Sequence, residues 1–193
     1  MGNGSLNRDE VLSKIRETGS LIEEDLSGID LEGEDLSGVD FSRAKLDNAR
    51  LKGARLVETR LHETSLIGAD LSGCNLEKAY LVAAKLLGAN LHGAHLEEVF
   101  LSGADVGGAD FSGANLRRAQ IGVINAAFPN PSGRATRFRG ANLQDAVVNA
   151  TDFRGVDLRG ANLKGAYLYE AKLRGAIVES GQFEGAITRA ESF

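Results

Sequence analysis

The chain has one cysteine, one methionine, two prolines and no tryptophan in 193 residues. Each scarcity excludes a class of protein. A single cysteine cannot close an intramolecular disulfide, and there is no Cys/His pairing for a structural zinc site. No uninterrupted apolar run approaches the roughly 18 residues that a membrane span needs. The opening Met1-Gly2-Asn3-Gly4-Ser5 lacks the basic-then-apolar order of a secretory signal, and Leu6 stands where myristoylation requires serine or threonine. The expectation is a one-domain cytoplasmic protein without metal or cofactor.

What is abundant is just as skewed. Leu (25), Ala (25) and Gly (24) make up over a third of the chain, as a short repeat would produce. From Leu26 to Ile121 every fifth residue is apolar, 20 times in succession, and a second run of ten goes from Phe138 to Phe183. Of these 30 centres 26 are Leu or Phe. Ala precedes the centre by two in 18 units, Asp or Asn commonly lies between, and Gly follows by two in 17. The unit reads Ala-(Asp/Asn)-Leu-x-Gly.

A helix carries its apolar stripe at a period of 3.6 and a half-buried strand at 2, so neither fits a period of five. Five-residue steps on a helix advance about 500°, which would spiral the leucines around every side. The period instead suggests a flat side plus a corner, with the centre and the Ala inward. Four such sides, one per unit, close a square coil. Coils stacked at about 4.8 Å bury each apolar layer against the next. The expected class is all-β, with about eight coils and a rod roughly 40 Å long. Ala leaves room beside Leu, and Gly eases the corner.

With 30 registers in agreement, residues 21 to 188 resemble the pentapeptide-repeat proteins. That resemblance implies a right-handed quadrilateral β-helix. The regular Ala-(Asp/Asn)-Leu type is similar in layout to heterocyst-regulating cyanobacterial members, with a helical N-terminal cap, a long rod and one Pro/Ser-bearing loop.

The reading divides the chain into a helical cap (1–20), a repeat rod (21–121), a loop or irregular coil (122–137), a second rod segment (138–188) and a tail (189–193). In the cap, Asn7 and Glu10 have capping-box spacing, Val11, Leu12 and Ile15 share a face, and Gly19 can end the helix. Glu24 and Glu34 occupy inward Ala slots, where unpaired acids are costly, so an irregular opening turn is expected. The tail is too short for a second cap. Either Ile187 and Phe193 fold over the last layer or another chain covers it, which makes an end-to-end homodimer one expectation. The spacing from Ile121 to Phe138 counts as three units plus two, and both prolines, Pro129 and Pro131, lie there. Proline lacks the donor that a ladder needs, so this stretch should leave the coil, either as a tolerated loop or as a partner contact.

Catalysis finds little support. His62, His92 and His95 fall on outward positions, and Cys74 fills an Ala slot as a small apolar residue. The carboxylates repeat as a surface lattice, whereas acid–base work needs a pair in an enclosed pocket. Glycines mark corners and are not followed by a phosphate-loop signature.

The surface is more informative. Residues 1–114 hold 20 acids and 11 bases, and residues 115–193 hold 7 acids and 11 bases, which maps to a dipolar rod suited to steering a partner. An acidic band contains Glu23, Asp25, Asp30, Glu32, Asp35 and Asp40 with no base among them, while Arg134, Arg137 and Arg139 surround the loop with Phe128. Outward apolar residues stand out: Tyr80 and Phe100 one coil apart, Val82 beside them, Leu87 on the next side, and Tyr167 with Tyr169 further along. Such ladders either stabilise a β-surface or form a protein interface. The first expectation is therefore a non-catalytic scaffold or regulator that binds a protein partner and neither a membrane nor nucleic acid directly. The family resemblance also implies an alternative, DNA mimicry toward a topoisomerase such as gyrase. The basic second half, and the lack of a Phe- and Cys-rich interior and a C-terminal dimerising helix, depart from that pattern. A passive structural role is a third.

Overall fold

A computed structural model describes residues 6–188 apart from Asn125, Phe128 and Asn130. Its geometry follows from the unit of five. The carbonyl of nearly every apolar centre accepts the N–H three residues on, as Leu51 does from Ala54 (2.9 Å) and Leu71 from Cys74 (3.2 Å). Such a turn requires a left-handed third residue. Gly53 sits there at φ 66°, and Asn48 and Lys78 take the same conformation at 56°. With the turn taking so much of the unit, one residue per side is left to pair with the next coil. The expected strands are therefore single-residue parallel bridges. That residue is often Asp or Asn for a local reason: its side chain accepts the N–H two residues on, as Asp70 does from Ser72 (3.1 Å) and Asn75 from Glu77 (3.0 Å).

The bridges form four columns, one per side. On side one the ladder passes Ser20, Asp40, Arg60, Tyr80, Phe100, Gln120, Val147, Tyr167 and Ile187. Sides two, three and four start from Asp25, Asp30 and Asp35. Inside, the centres from Leu21 to Leu173 are buried and join the Ala slots in one continuous core. Burying each leucine contributes about 2 kcal/mol. Phe111 and Phe138 stack along the core on side three, with centroids 4.7 Å apart.

The interrupted coil is longer than the others. Asp110 bridges Arg137, Asn115 bridges Asn142 and Gln120 bridges Val147, so this coil exceeds its neighbours by seven residues. The gap from Ile121 to Phe138 is therefore two units plus seven, not three units plus two. Ile124 and Ala126 are both buried and exchange sizes, the large residue in the Ala slot and the small one in the centre. The chain leaves after Ala126, at the far end of side two, and returns at buried Thr136. The Thr136 hydroxyl accepts the Gly108 N–H (3.0 Å) and lies 2.8 Å from the Ala126 carbonyl.

Helix α1, Arg8–Thr18, caps the first coil. Asn7 and Glu10 form the reciprocal capping box, Gly19 closes the helix at φ 65°, Val11 is buried, and Leu12 and Ile15 pack against the core. The opening coil is regular, contrary to expectation. Glu24 and Glu34 are only half-buried in their Ala slots, and Lys14 and Arg8 of α1 pair with them. The acids thus help to seat the cap. At the other end Val178, expected to point inward, is 41% exposed, because no further coil lies over it among the described residues.

Candidate interaction surface

The repeat rule fails in one direction on one side. From the fourth coil on, the bridging residues of side one are Tyr80, Phe100, Gln120, Val147 and Tyr167. None is the Asp or Asn that commonly caps the turn. The outward residues that follow them are Val82 and Ala83, Ser102 and Gly103, Gly122 and Val123, Asn149 and Ala150, then Tyr169 and Glu170. In a chain that is 25% charged, the first four of these rows carry no charged side chain, and the fifth carries only Glu170 at its outer corner. Tyr80 and Phe100 stack almost parallel, 5.0 Å apart and 2° from coplanar, and Tyr167 meets Tyr169 edge-on at 6.4 Å. Tyr80 (43%), Val123 (66%) and Tyr167 (40%) remain open to solvent.

The sequence treats Tyr80/Phe100 and Tyr167/Tyr169 as separate patches. The structure puts them on one face, because the seven extra residues advance the register before Val147. Gln120, Val123 and Val147 were not singled out in sequence. Counting in twenties from Phe100 and Gly103 reaches Gln120 and Val123 directly, and Val147 follows once seven is subtracted beyond the prolines.

The other named residues lie elsewhere. Leu87 is half-buried on side two. Arg134 is exposed in the excursion, and Arg137 and Arg139 stand on side three, Arg137 paired with Asp110. Phe128 lies outside the described residues, as does the tail from 189 to 193. Because the excursion leaves from the far end of side two, its arginines and the side-one aromatics do not form one site.

The acidic band is largely neutralised by the next coil, which sets five bases against its six acids. Glu23 pairs with Arg43 (3.4 Å), Asp25 with Lys45 (3.5 Å), and Asp30 and Glu32 with Arg50 (both 3.0 Å). Asp35 lies 3.8 Å from Arg55, and Asp40 lies 3.9 Å from Arg60. Exposed pairs of this kind contribute ~0–1 kcal/mol each, so their main effect is to cancel the local field. Further along, burial alone would raise the Asp110 carboxyl, but hydrogen bonds from Ser112 and Arg137 outweigh it and hold the group below its ordinary value. Hydrogen bonds from Arg154 and Arg159 do the same for Asp152 and Asp157.

Cys74 is buried, its thiol donates to the Leu51 carbonyl (2.7 Å), and burial pushes its pKa up to about 12. The three histidines are exposed. No group of three or more His, Cys, Asp and Glu that could hold a metal occurs among the described residues. None of the described helices is long and apolar enough to cross a membrane.

Four parallel ladders around a filled core define a β-helical solenoid. The family model for pentapeptide repeats matches residues 25–62, 59–98, 96–121, 136–175 and 151–187, and the chain belongs to that family. Among solved structures it is similar to HetL, a pentapeptide repeat protein involved in heterocyst differentiation regulation from the cyanobacterium Nostoc sp. strain PCC 7120. The two are 28% identical over 89% of this chain and 94% of HetL, with a TM-score of 0.50. A pentapeptide repeat protein of the Arabidopsis thaliana thylakoid lumen is 35% identical over 51% of this chain and 70% of its own, with a TM-score of 0.40. QnrB1, a plasmid-mediated fluoroquinolone resistance protein, is 16% identical over 85% and 89%, with a TM-score of 0.43. No curated protein matches the sequence.

Proposed function

We propose that the chain is a non-catalytic interaction scaffold, a right-handed quadrilateral rod that presents side one, from Tyr80 to Tyr169, to a protein partner. One observation carries the reading. Five successive coils give up the Asp or Asn that commonly caps the turn, and four of the five place an aromatic or aliphatic group there instead. At Tyr80, Phe100 and Val147 the replacement forfeits a turn cap worth about 1 kcal/mol and puts an apolar group at the surface, whereas at Tyr167 the turn N–H, that of Tyr169, is capped by the Asn149 side chain of the preceding coil (3.2 Å). The Tyr80–Phe100 stack offsets part of this loss, yet Tyr80, Val123 and Tyr167 stay open to solvent, which serves a binding face and not the stability of the rod. Likeness to HetL, a protein involved in regulation, supports the same direction. The ion-paired first coil counts against DNA mimicry, which needs unneutralised acids along the rod.

The test is co-purification from the native host with Phe100→Asn and Tyr167→Asn against Leu87→Asn. Asparagine is a residue the repeat itself uses at the bridging position, so the side-one variants should fold. Loss of a partner from these but not from Leu87→Asn is expected. Retention of every partner by the side-one variants would reject the proposal.

A further inference from the structure

The chemistry of side one also constrains what can sit on it. We infer that the occupant is an amphipathic α-helix of about four turns, contributed by a partner protein and aligned with the rod axis. This inference rests on the interaction reading above and adds the form of the partner element.

A β-strand cannot be added to this face. The Tyr80 N–H donates to Thr59 and its carbonyl accepts from Leu61, while Phe100 donates to Ala79 and accepts from Leu81. These groups point along the rod, toward neighbouring coils, so binding must run through side chains.

The dimensions fit a helix. Four coil steps from Tyr80 to Tyr167 span about 19 Å, and the flat part of one side is about 10 Å wide, three extended residues. A helix of ~14 residues is about 21 Å long and 10–12 Å across. Its pitch of about 5.4 Å nearly matches the coil spacing, so each turn meets one coil. A second copy of this chain fits poorly. The strip covers about 200 Å², against the roughly 800 Å² per partner of a stable interface. A narrow apolar stripe on a helix needs no more than the strip provides.

Charge at the rim points the same way. Along the corner between sides four and one, successive coils present Lys78, Glu98, Arg118 and Asp145, alternating in sign. Glu98 and Arg118 lie 3.8 Å apart, and with Phe100, Ser102 and Gln120 they line a groove of about 600 Å³. An uncharged strip beside such a rim suits a helix with an apolar stripe and flanking charges of both signs.

The probe is a labelled 18-residue designed peptide with Leu at helical i, i+3, i+4, i+7 spacing and a Glu/Lys flank alternating once per turn. Its control has the same composition with Leu at every second position. Fluorescence anisotropy should show the first peptide binding at least tenfold more tightly than the second, with a gain in helical circular dichroism. Phe100→Asn should weaken it at least tenfold and Leu87→Asn should leave it unchanged. Equal binding of the two peptides, or indifference to Phe100→Asn, would overturn the helix assignment. A photoreactive residue in place of Ser102 provides a second measurement on any partner captured through side one. Crosslinks in a helix support the inference, and crosslinks in an extended segment overturn it while leaving the interaction reading intact. If no partner depends on side one in the co-purification, the interaction reading itself has failed.

Discussion

Replacing Thr136 with valine should cost more than the same change at any other buried threonine. In regular coils of side two the left-handed turn residue donates to the following coil: Gly28 to Asp47 (2.8 Å), Gly68 to Leu87 (2.9 Å), Gly88 to Gly107 (2.9 Å). For Gly108 the same register would need the carbonyl one residue after Ala126, where the chain is already departing. The Thr136 hydroxyl accepts this N–H instead, and Gly108 is buried. Valine preserves the shape and strands the donor, at a cost of about 1–3 kcal/mol. Thr64 is the matched control. It is equally buried, but its hydroxyl only donates to the Phe41 carbonyl (2.7 Å), which keeps the Ala44 N–H (2.9 Å). Thr64→Val should therefore cost only about 0.5–1.5 kcal/mol. At about 2–4 °C per kcal/mol for a chain of this size, a 2 kcal/mol loss in Thr136→Val lowers Tm by roughly 4–8 °C. Thermal melts of both variants test the difference, together with hydrogen exchange at the Gly108 amide. If Thr136→Val melts with Thr64→Val and Gly108 keeps its protection, the hydroxyl is not the acceptor that holds the excursion in place.

Other consequences are simpler to test. Cys74, with its thiol raised to about 12, should resist a disulfide reagent at pH 8 in the native rod and react at once in denaturant. Asp152 and Asp157 have carboxyls held below the ordinary 3.8, so their stabilisation is complete above that value and disappears as pH falls through the lower folded-state value. Asp157→Asn should make acid unfolding less steep, and an unchanged acid limb would contradict this. Phe100→Asn gains a turn cap of about 1 kcal/mol and loses an aromatic stack of about 0.5–1.5 kcal/mol together with about 1–2 kcal/mol of burial for a ring that is 36% exposed, so a net loss of about 0.5–2.5 kcal/mol should appear in thermal melts. A larger loss would show that the aromatics support the rod rather than a partner. An end-to-end homodimer requires twice the chain mass of 20.4 kDa in light scattering, and a monomeric mass at micromolar concentration removes that proposal.

The local parts of this architecture were legible because each is decided within one repeat unit. A Leu that closes a turn, a Gly or Asn at its left-handed position and an Asp that caps the next N–H need no distant partner. Thirty repeats of them leave little choice of fold, and the capping box at Asn7 and Glu10 is equally local. What the sequence left open depends on residues one coil or more apart. Glu23 to Asp40 read as an unrelieved acidic band until stacking placed Arg43, Lys45, Arg50, Arg55 and Arg60 above them. Glu24 and Glu34 read as misplaced until α1 brought Lys14 and Arg8 across.

The apolar face is the clearest case. The separation of Phe100 from Tyr167 is no multiple of the regular coil, so periodicity alone assigns them to different parts of the surface. They share a side because the excursion after Ala126 adds seven residues to its coil and Thr136 returns the chain in register. Five-residue periodicity, a property of the chain, determined that there would be a rod and which side chains would fill it. Which side chains face outward together was decided by the length of one excursion, and only the closed tertiary structure could measure it.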